Sequence, residues 1–208
     1  LNDKYDVIIL PSDYKDVMID LGKADPSNPR MQQFFQFYAV SSPPEYRSGF
    51  GEAGVEALKA FVENGGRLVT FGMACEFSID VFNLGLNDAT KGLKETEYFC
   101  QGSTLHATAD NTDPVGWGMP SDFLAFNYES LVFGITEKFN PDKYRVIAKY
   151  AKKDLLRSGW LIGEEHITDR ATVVATEHGK GELVLIGLRP QHRCQTHGTF
   201  KFVFNCLY

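Results

Sequence analysis

The chain has 208 residues, of which 43% are hydrophobic and 23% charged, and these values are ordinary for a single globular domain. Its formal net charge is −6 and its 21 basic residues are scattered, which argues against a nucleic-acid-binding surface built from clustered lysines and arginines. No apolar run approaches the ~20 residues that a membrane span requires. We therefore expect neither nucleic acid nor a membrane as a partner.

The first predicted elements are a buried strand, a long loop and a helix. Residues 6–11 form an apolar run of strand length. Residues 22–50 carry six prolines and glycines among polar residues, which predicts a long loop around an aromatic cluster. The members of this cluster are Phe34, Phe35, Phe37 and Tyr38. From 52 to 64 the apolar residues share one helical stripe, and two glycines follow, as is typical of a helix end.

The remainder of the chain predicts a βαβ arrangement with a β-rich part. Nearly continuous apolar runs at 67–71 and 182–187 are typical of strands that are buried on both faces of a parallel sheet. Between them, a β-rich part of about 95–180 contains predicted strands at 103–109, 130–135, 144–150 and 171–176. Four apolar residues at helical spacing predict a C-terminal helix that packs on the sheet. They are Phe200, Val203, Phe204 and Leu207.

Five segments carry a resemblance to a known family. They are 44–52 (PEYRSGFGE), 65–69 (GGRLV), 158–166 (SGWLIGEEH), 179–181 (GKG) and 189–201 (RPQHRCQTHGTFK). In these segments the chain resembles the class I glutamine-amidotransferase-like C-terminal domain of bacterial M14-type zinc carboxypeptidases. The resemblance implies one α/β domain over 1–208, with a three-layer, flavodoxin-like, mostly parallel sheet and a β-rich insertion. It also implies a secreted or periplasmic location, and that the strand and helix which open the family's domain are absent here.

The peptidase site of such a parent is expected to lie outside this chain. A zinc carboxypeptidase binds its metal with a His-x-x-Glu pair and a distant histidine, and none of the five histidines here has a glutamate three residues on. The segment Glu164-Glu165-His166 predicts a solvated turn and no metal site. We therefore expect no cofactor in this chain, and zinc only in the parent's peptidase domain.

Amidotransferase chemistry needs a cysteine on a tight elbow, a histidine after a later strand, and a carboxylate two residues beyond that histidine. Cys75 and His192 each follow a predicted parallel strand. However, Met73 and Phe77 stand where the elbow needs small residues, and Cys194 stands where the carboxylate is needed. We expect no catalytic residue. A small-molecule hydrolase or amidotransferase that uses Cys75 and His192 is the alternative.

A ligand site is predicted at the carboxyl edge of the parallel strands, where doubly wound sheets bind their ligands. The topology brings six polar side chains toward this edge: Glu76, Arg189, Gln191, His192, Arg193 and His197. The two arginines suit a small carboxylate or peptide ligand. Alternatively, Arg189 and Glu76 pair with each other or cap backbone groups, and His197 begins the last helix.

These observations predict a non-catalytic accessory or binding domain of a larger zinc carboxypeptidase, with the parent's catalytic domain as its partner. A purely structural interaction module is a further alternative. A ligand-binding domain would have segment 189–197 in an open pocket, whereas a structural module would have it covered by the surface of another domain. A missing first strand also predicts that the chain self-associates or that residues 22–50 cover the gap, because exposed strand edges recruit partners.

Overall fold

The computed structural model describes residues 1–21, 27, 32, 36, 49–135 and 140–208. The helices with described bounds are α1 (Lys15–Asp20), α2 (Gly51–Glu63), α3 (Cys75–Val81) and α4 (Phe200–Asn205). The strands are β1 (Val7–Leu10), β2 (Arg67–Phe71), β3 (Leu86–Asp88), β4 (Ser103–Ala109), β5 (Asp122–Asn127), β6 (Phe133–Ile135), β7 (Tyr144–Tyr150), β8 (Leu156–Ser158), β9 (Ala171–His178) and β10 (Gly181–Ile186). In these parts of the chain, no helix has the length and apolar character needed to cross a membrane.

All of these strands belong to one mixed sheet, whose main order is β1-β2-β10-β9-β7-β4-β5. The first three strands of that order are parallel to one another. From β10 onward, each neighbouring pair is antiparallel. The short strands β3, β6 and β8 attach at the side, where β6 pairs with β9 and β8 pairs with β4. The predicted α/β class is confirmed.

The parallel share of the sheet is smaller than the sequence predicts. The β-rich part continues the same sheet beyond the three parallel strands, and its strands pair in antiparallel fashion. The physical reason is the connection between β9 and β10, in which His178 lies opposite Gly181 and only Gly179 and Lys180 remain for the turn. A two-residue turn joins antiparallel strands, whereas a parallel pair needs a crossover of a dozen or more residues.

The two faces of the central strands are covered by separate cores. On one face, Val69 and Val184 belong to a cluster that includes Phe202 of α4. On the other face, Leu68 and Leu183 pack with the residues of α2 and α3. Successive strand residues point to opposite faces, so β2 and β10 supply both cores and have continuous apolar sequences.

Several predicted elements are confirmed with their bounds. The strands at 67–71, 103–109 and 144–150 match, and the helix predicted at 52–64 is α2. The helix ends at Glu63, and two residues later Gly65 has a φ of 108°, which favours glycine. The segment 130–135 forms a strand only at its end, since Leu131 donates its N–H to Gly187 O outside the ladder. The predicted loop at 22–50 and its aromatic cluster lie outside the described residues, apart from 27, 32, 36, 49 and 50.

The C-terminal helix is present, but the predicted apolar stripe is wrong. Phe204 and Leu207 are 56% and 49% exposed, whereas Phe202 and Cys206 are fully buried. Hydrogen bonds to neighbouring elements determine which face of α4 is buried. Arg67 Nη1 donates to Cys206 O at 2.8 Å, and Asn205 Nδ2 donates to the carbonyl of Val115 at 2.9 Å. The helix is short, so these fixed contacts outweigh its apolar periodicity.

Candidate functional site

The carboxyl ends of β1, β2 and β10 lie at one edge of the sheet. The chain leaves β2 through Gly72, where φ is 48° and an added Cβ would lie 2.6 Å from Ser12 Oγ. Met73 N donates to the same Ser12 oxygen at 3.2 Å. Glycine is required at this position by both the backbone conformation and the close approach of the segment after β1.

Glu129 connects three segments at this edge. Tyr14, after β1, donates its hydroxyl hydrogen to Glu129 Oε1 at 3.2 Å. Arg189, after β10, contacts Glu129 Oε2 through Nη2 at 2.7 Å and donates from Nε to Tyr128 O at 2.7 Å. Its guanidinium also lies 5.4 Å from the centre of the Tyr128 ring. Glu129 has a φ of 44°, an uncommon conformation for a residue with a side chain, and such strain concentrates at functional sites.

A second carboxyl group lies beside this cluster. Although the Asp13 side chain is exposed at its tip, partial desolvation raises its pKa above the ordinary value. The negative charge of Glu129 acts in the same direction, whereas the N–H of Tyr14 and the charge of Arg189 oppose it. Asp13 therefore lies within electrostatic range of both Glu129 and Arg189.

A cavity of about 320 Å³ opens next to Glu129. Three carboxylates line it, those of Asp88, Glu95 and Glu129, and none of its lining residues within the described ranges is basic. The wall at Asp88 is fixed, because Thr90 donates to Asp88 Oδ1 from both N and Oγ1, at 3.0 and 2.8 Å. Asn127, which also lines the cavity, donates from Nδ2 to Tyr150 OH at 2.9 Å. Such a cavity attracts cationic or hydroxyl-rich groups and repels anions.

Cys75 and His192 lie in different environments. The Cys75 side chain is fully buried, donates from Sγ to Thr70 O at 3.4 Å, and accepts a bond from Thr70 Oγ1 at 3.5 Å. Burial raises the pKa of the thiol to about 12. His192 is half-buried against Phe126, with ring centres 4.6 Å apart. Desolvation lowers the pKa of His192, with Arg189 and Arg193 adding to the effect. No described contact joins Cys75 to His192.

The structure places the other predicted ligand residues at or near this edge without bringing them together. Glu76 lies 3.7 Å from Lys91 Nζ, so it is not the partner of Arg189, which pairs with Glu129 instead. Gln191, Arg193 and His197 are exposed, and His197 begins a 3-10 turn that leads into α4.

The sequence reasoning missed Glu129 and the carboxylates of the cavity. Glu129 follows β5, a strand that was not predicted. Its backbone is in the left-handed conformation, which glycine or asparagine would have indicated in the sequence, and Glu129 is neither. Asp88 and Glu95 belong to an irregular segment between short elements. Tyr14 was detectable, because it comes shortly after the first predicted strand.

Comparison with known proteins finds similar folds among solved structures. No family model matches the chain, and no curated protein matches it. Among solved structures, the cytoplasmic protein STM3548 from Salmonella typhimurium is 15% identical with a TM-score of 0.54, over 99% of this chain and 71% of that one. The cytoplasmic protein STM1381 from Salmonella typhimurium LT2 is 11% identical with a TM-score of 0.53, over 98% and 70%. A GMP synthase-like protein from Thermoplasma acidophilum is 10% identical with a TM-score of 0.46, over 74% and 63%.

The likeness shows the fold. It agrees with the α/β class that the strands and helices display, and at these identities it extends no further than that class.

Proposed function

We propose that this chain is a non-catalytic binding domain, and that it serves as an accessory domain of a larger hydrolase of the M14 zinc carboxypeptidase type. The carboxyl-edge cavity is the binding site. The assignment to a parent peptidase rests on the resemblance of the sequence segments. The assignment of the binding site rests on the geometry around Glu129.

One observation carries the proposal: two of the five family-like segments contact residues that line the same cavity. In the segment 158–166, Ile162 and Phe99 exchange backbone hydrogen bonds of 3.1 and 2.9 Å, and Trp160 packs edge-on against Phe99 at 5.9 Å. Phe99 lines the cavity. In the segment 189–201, Arg189 contacts Glu129, which also lines the cavity. Two segments that carry the resemblance therefore support residues of this cavity.

The state of Cys75 supports a role without catalysis. A cysteine nucleophile acts as the thiolate and needs a neighbouring base. The Cys75 thiol is buried, is bonded to Thr70 and has a pKa of about 12, so it is protonated at neutral pH. Purified chain is expected to show no glutaminase, esterase or peptidase turnover. Activity that disappears in Cys75→Ala would reverse this assignment.

The charges of the cavity favour a peptide with a basic group over a small carboxylate. A free carboxylate would face Asp88, Glu95 and Glu129, and the guanidinium of Arg189 already holds Glu129 and Tyr128 O. An ammonium or guanidinium group of a peptide would face Asp88 and Glu95, which have no basic partner among the described contacts. This ligand class also fits an accessory domain that presents peptide to a peptidase.

Binding is tested with trilysine as the probe, and with trialanine and succinate as comparisons. In amide-resolved NMR titrations, trilysine is expected to shift the signals of Thr90, Glu95 and Gln101. The effect should weaken in Glu95→Gln, because Glu95 is an exposed lining residue whose loss removes charge from the cavity.

The matched control is Glu63→Gln, which removes the same charge at an exposed position at the end of α2. Equal weakening in both variants would indicate a net-charge effect. A response to succinate at the same amides, or no response to trilysine, would contradict the proposed ligand class.

A docking role is the second candidate, and the exposure of Gln191, Arg193 and His197 favours it. If this segment seats the parent's catalytic domain, Arg193→Glu should increase the rate at which protease cleaves between the two domains of the full-length protein. The assignment to a zinc carboxypeptidase is tested by determining the sequence that is encoded before Leu1. A His-x-x-Glu motif is expected there.

A further inference from the structure

A second cavity lies at the opposite, amino edge of the parallel strands. Its volume is about 630 Å³, and its lining includes Arg67 at the start of β2 and Glu182 near the start of β10. β2 is five residues long, so this edge is separated from the carboxyl-edge cavity by roughly 17 Å. Among the described residues, none lines both cavities.

The indole of Trp117 forms one wall of this amino-edge cavity and is 72% exposed. The turn that carries it is fixed from two sides. Trp117 N donates to Pro114 O at 3.3 Å, and Asn205 Nδ2 donates to Trp117 O at 2.8 Å. Lys201 Nζ also donates to Gly118 O. An exposed aromatic ring on a fixed turn offers a flat apolar surface with little ordering cost on binding.

The cavity is also lined by charged side chains that bond to one another. Glu182 Oε2 lies 2.7 Å from Arg67 Nε, and Glu182 Oε1 lies 2.8 Å from Arg145 Nη2. Arg145 Nε contacts the buried carboxylate of Asp113 at 2.7 Å. The two arginines are balanced by Glu182 and by the buried Asp113 behind the lining residues, so the cavity offers hydrogen-bond donors and acceptors beside a charge-balanced network.

The ligand that matches these walls has an apolar face and a neutral rim of hydroxyl groups. We propose that the amino-edge cavity binds a neutral pyranose unit of an oligosaccharide, with its C–H face on Trp117 and its hydroxyl groups on Arg145 and Glu182. An anionic ligand would meet Glu182, and a cationic ligand would meet the two arginines. A purely apolar ligand would displace water from the exposed hydrogen-bonding atoms of Arg145 and Glu182 and offer no hydrogen bond in its place. The volume lies within the range of small-molecule sites, roughly 300–1,000 Å³.

Tryptophan fluorescence provides the measurement, because the chain has two tryptophans and both are exposed. In the variant Trp160→Phe, Trp117 is the only tryptophan that reports. Titration of this variant with cellobiose, maltotriose and N,N′-diacetylchitobiose is expected to give a saturable change with at least one of them, in the millimolar range. The change should be the same at low and high sodium chloride concentration, because a neutral ligand has no charge for salt to screen.

Saturation-transfer NMR then compares the variants. Trp117→Ala is expected to weaken binding of the responding sugar about tenfold, the equivalent of one well-packed aromatic contact. Trp160→Ala, which removes an indole that is 65% exposed elsewhere, should leave it unchanged. Thermal unfolding of each variant serves as the check that it is folded.

Three results would overturn the sugar site. They are the absence of saturable binding by any of the three sugars, equal losses in Trp117→Ala and Trp160→Ala, and binding that requires an acidic sugar and falls with salt. Glu95→Gln, at the carboxyl-edge cavity, should not affect sugar binding, so this test stands or fails independently of the peptide site.

Discussion

The thiol of Cys75 lies at the first residue of α3, fully buried beside Thr70 and Ser78. Its position after a parallel strand is that of an amidotransferase nucleophile, but its surroundings suppress ionisation and raise its pKa to about 12. Cys206 is buried with a pKa of about 12 as well, while Cys194 is exposed. At the scale of single residues, environment rather than identity decides the chemistry.

The raised pKa of Cys75 predicts a stability change at alkaline pH. The folded state holds the thiol proton more strongly than the unfolded state, whose thiol has the ordinary value of 9.0. The resulting stabilisation is complete below pH 9.0 and is lost as pH rises toward about 12. The free energy of unfolding should fall across this window by about 1.4 kcal/mol per pH unit for each such thiol.

Urea unfolding across that window checks the prediction. Cys75→Ala is expected to lower stability at neutral pH and to show a shallower alkaline decline than the original chain. Cys194→Ala should keep the original slope, because its thiol is exposed. Identical slopes in all three proteins would show that Cys75 does not contribute.

At the scale of elements, Glu182 links three strands. Its carboxylate contacts Arg67 on β2 and Arg145 on β7, and Arg67 in turn donates to the carbonyl of Cys206, directly after α4. The side chain of Glu182 is 15% exposed, so loss of its charge would leave two arginines without their shared partner in a partly desolvated place. This network fixes both the sheet register and the rotation of α4.

Glu182→Gln is therefore expected to lower the free energy of unfolding by about 2 kcal/mol. The matched control is Glu177→Gln, since Glu177 is the register partner of Glu182 on β9 and its side chain is exposed. The control should change stability by less than about 0.5 kcal/mol. Similar losses in both variants, measured by urea unfolding, would show that the ion pairs at Glu182 are not what stabilises this edge.

At the scale of the whole molecule, β1 lies at one end of the sheet and pairs with β2 alone among the described strands. An unpaired strand edge recruits another chain or a covering segment. We predict that the isolated chain self-associates, or that residues 22–50, with the aromatic cluster Phe34, Phe35, Phe37 and Tyr38, cover this edge. Sedimentation and hydrogen exchange across residues 30–50 distinguish the two. A monomer in which those residues exchange as freely as a disordered loop would contradict both.

The metal content of the chain is a second prediction at this scale. Within the described parts of the chain, no three His, Cys, Asp or Glu side chains are grouped as a metal site would need. Elemental analysis after dialysis should find less than one zinc per chain. One tightly bound zinc that is lost when two histidines are replaced would contradict this prediction.

Local pattern was sufficient for the elements that are long or buried on both faces. The runs at 67–71 and 182–187 and the stripe of α2 are set by neighbours in sequence, and the structure confirms them. The sequence did not predict β8 and α3, which have three and seven residues. Elements this short contain too few residues for a strand or helix periodicity of apolar positions to be recognised. The placement of Arg189 at the carboxyl edge followed from topology alone.

Contacts between segments distant in sequence decided the rest. Glu129 joins the binding site only because Tyr14 and Arg189 reach it from residues 115 and 60 positions away. The face of α4 that is buried depends on Arg67 and Asn205, and the mixed sheet depends on a two-residue turn between β9 and β10. Sequence determined which segments are buried, because burial follows from local apolar content. Only the tertiary structure decided which polar groups meet, because hydrogen bonds and ion pairs form between specific atoms that the fold brings together.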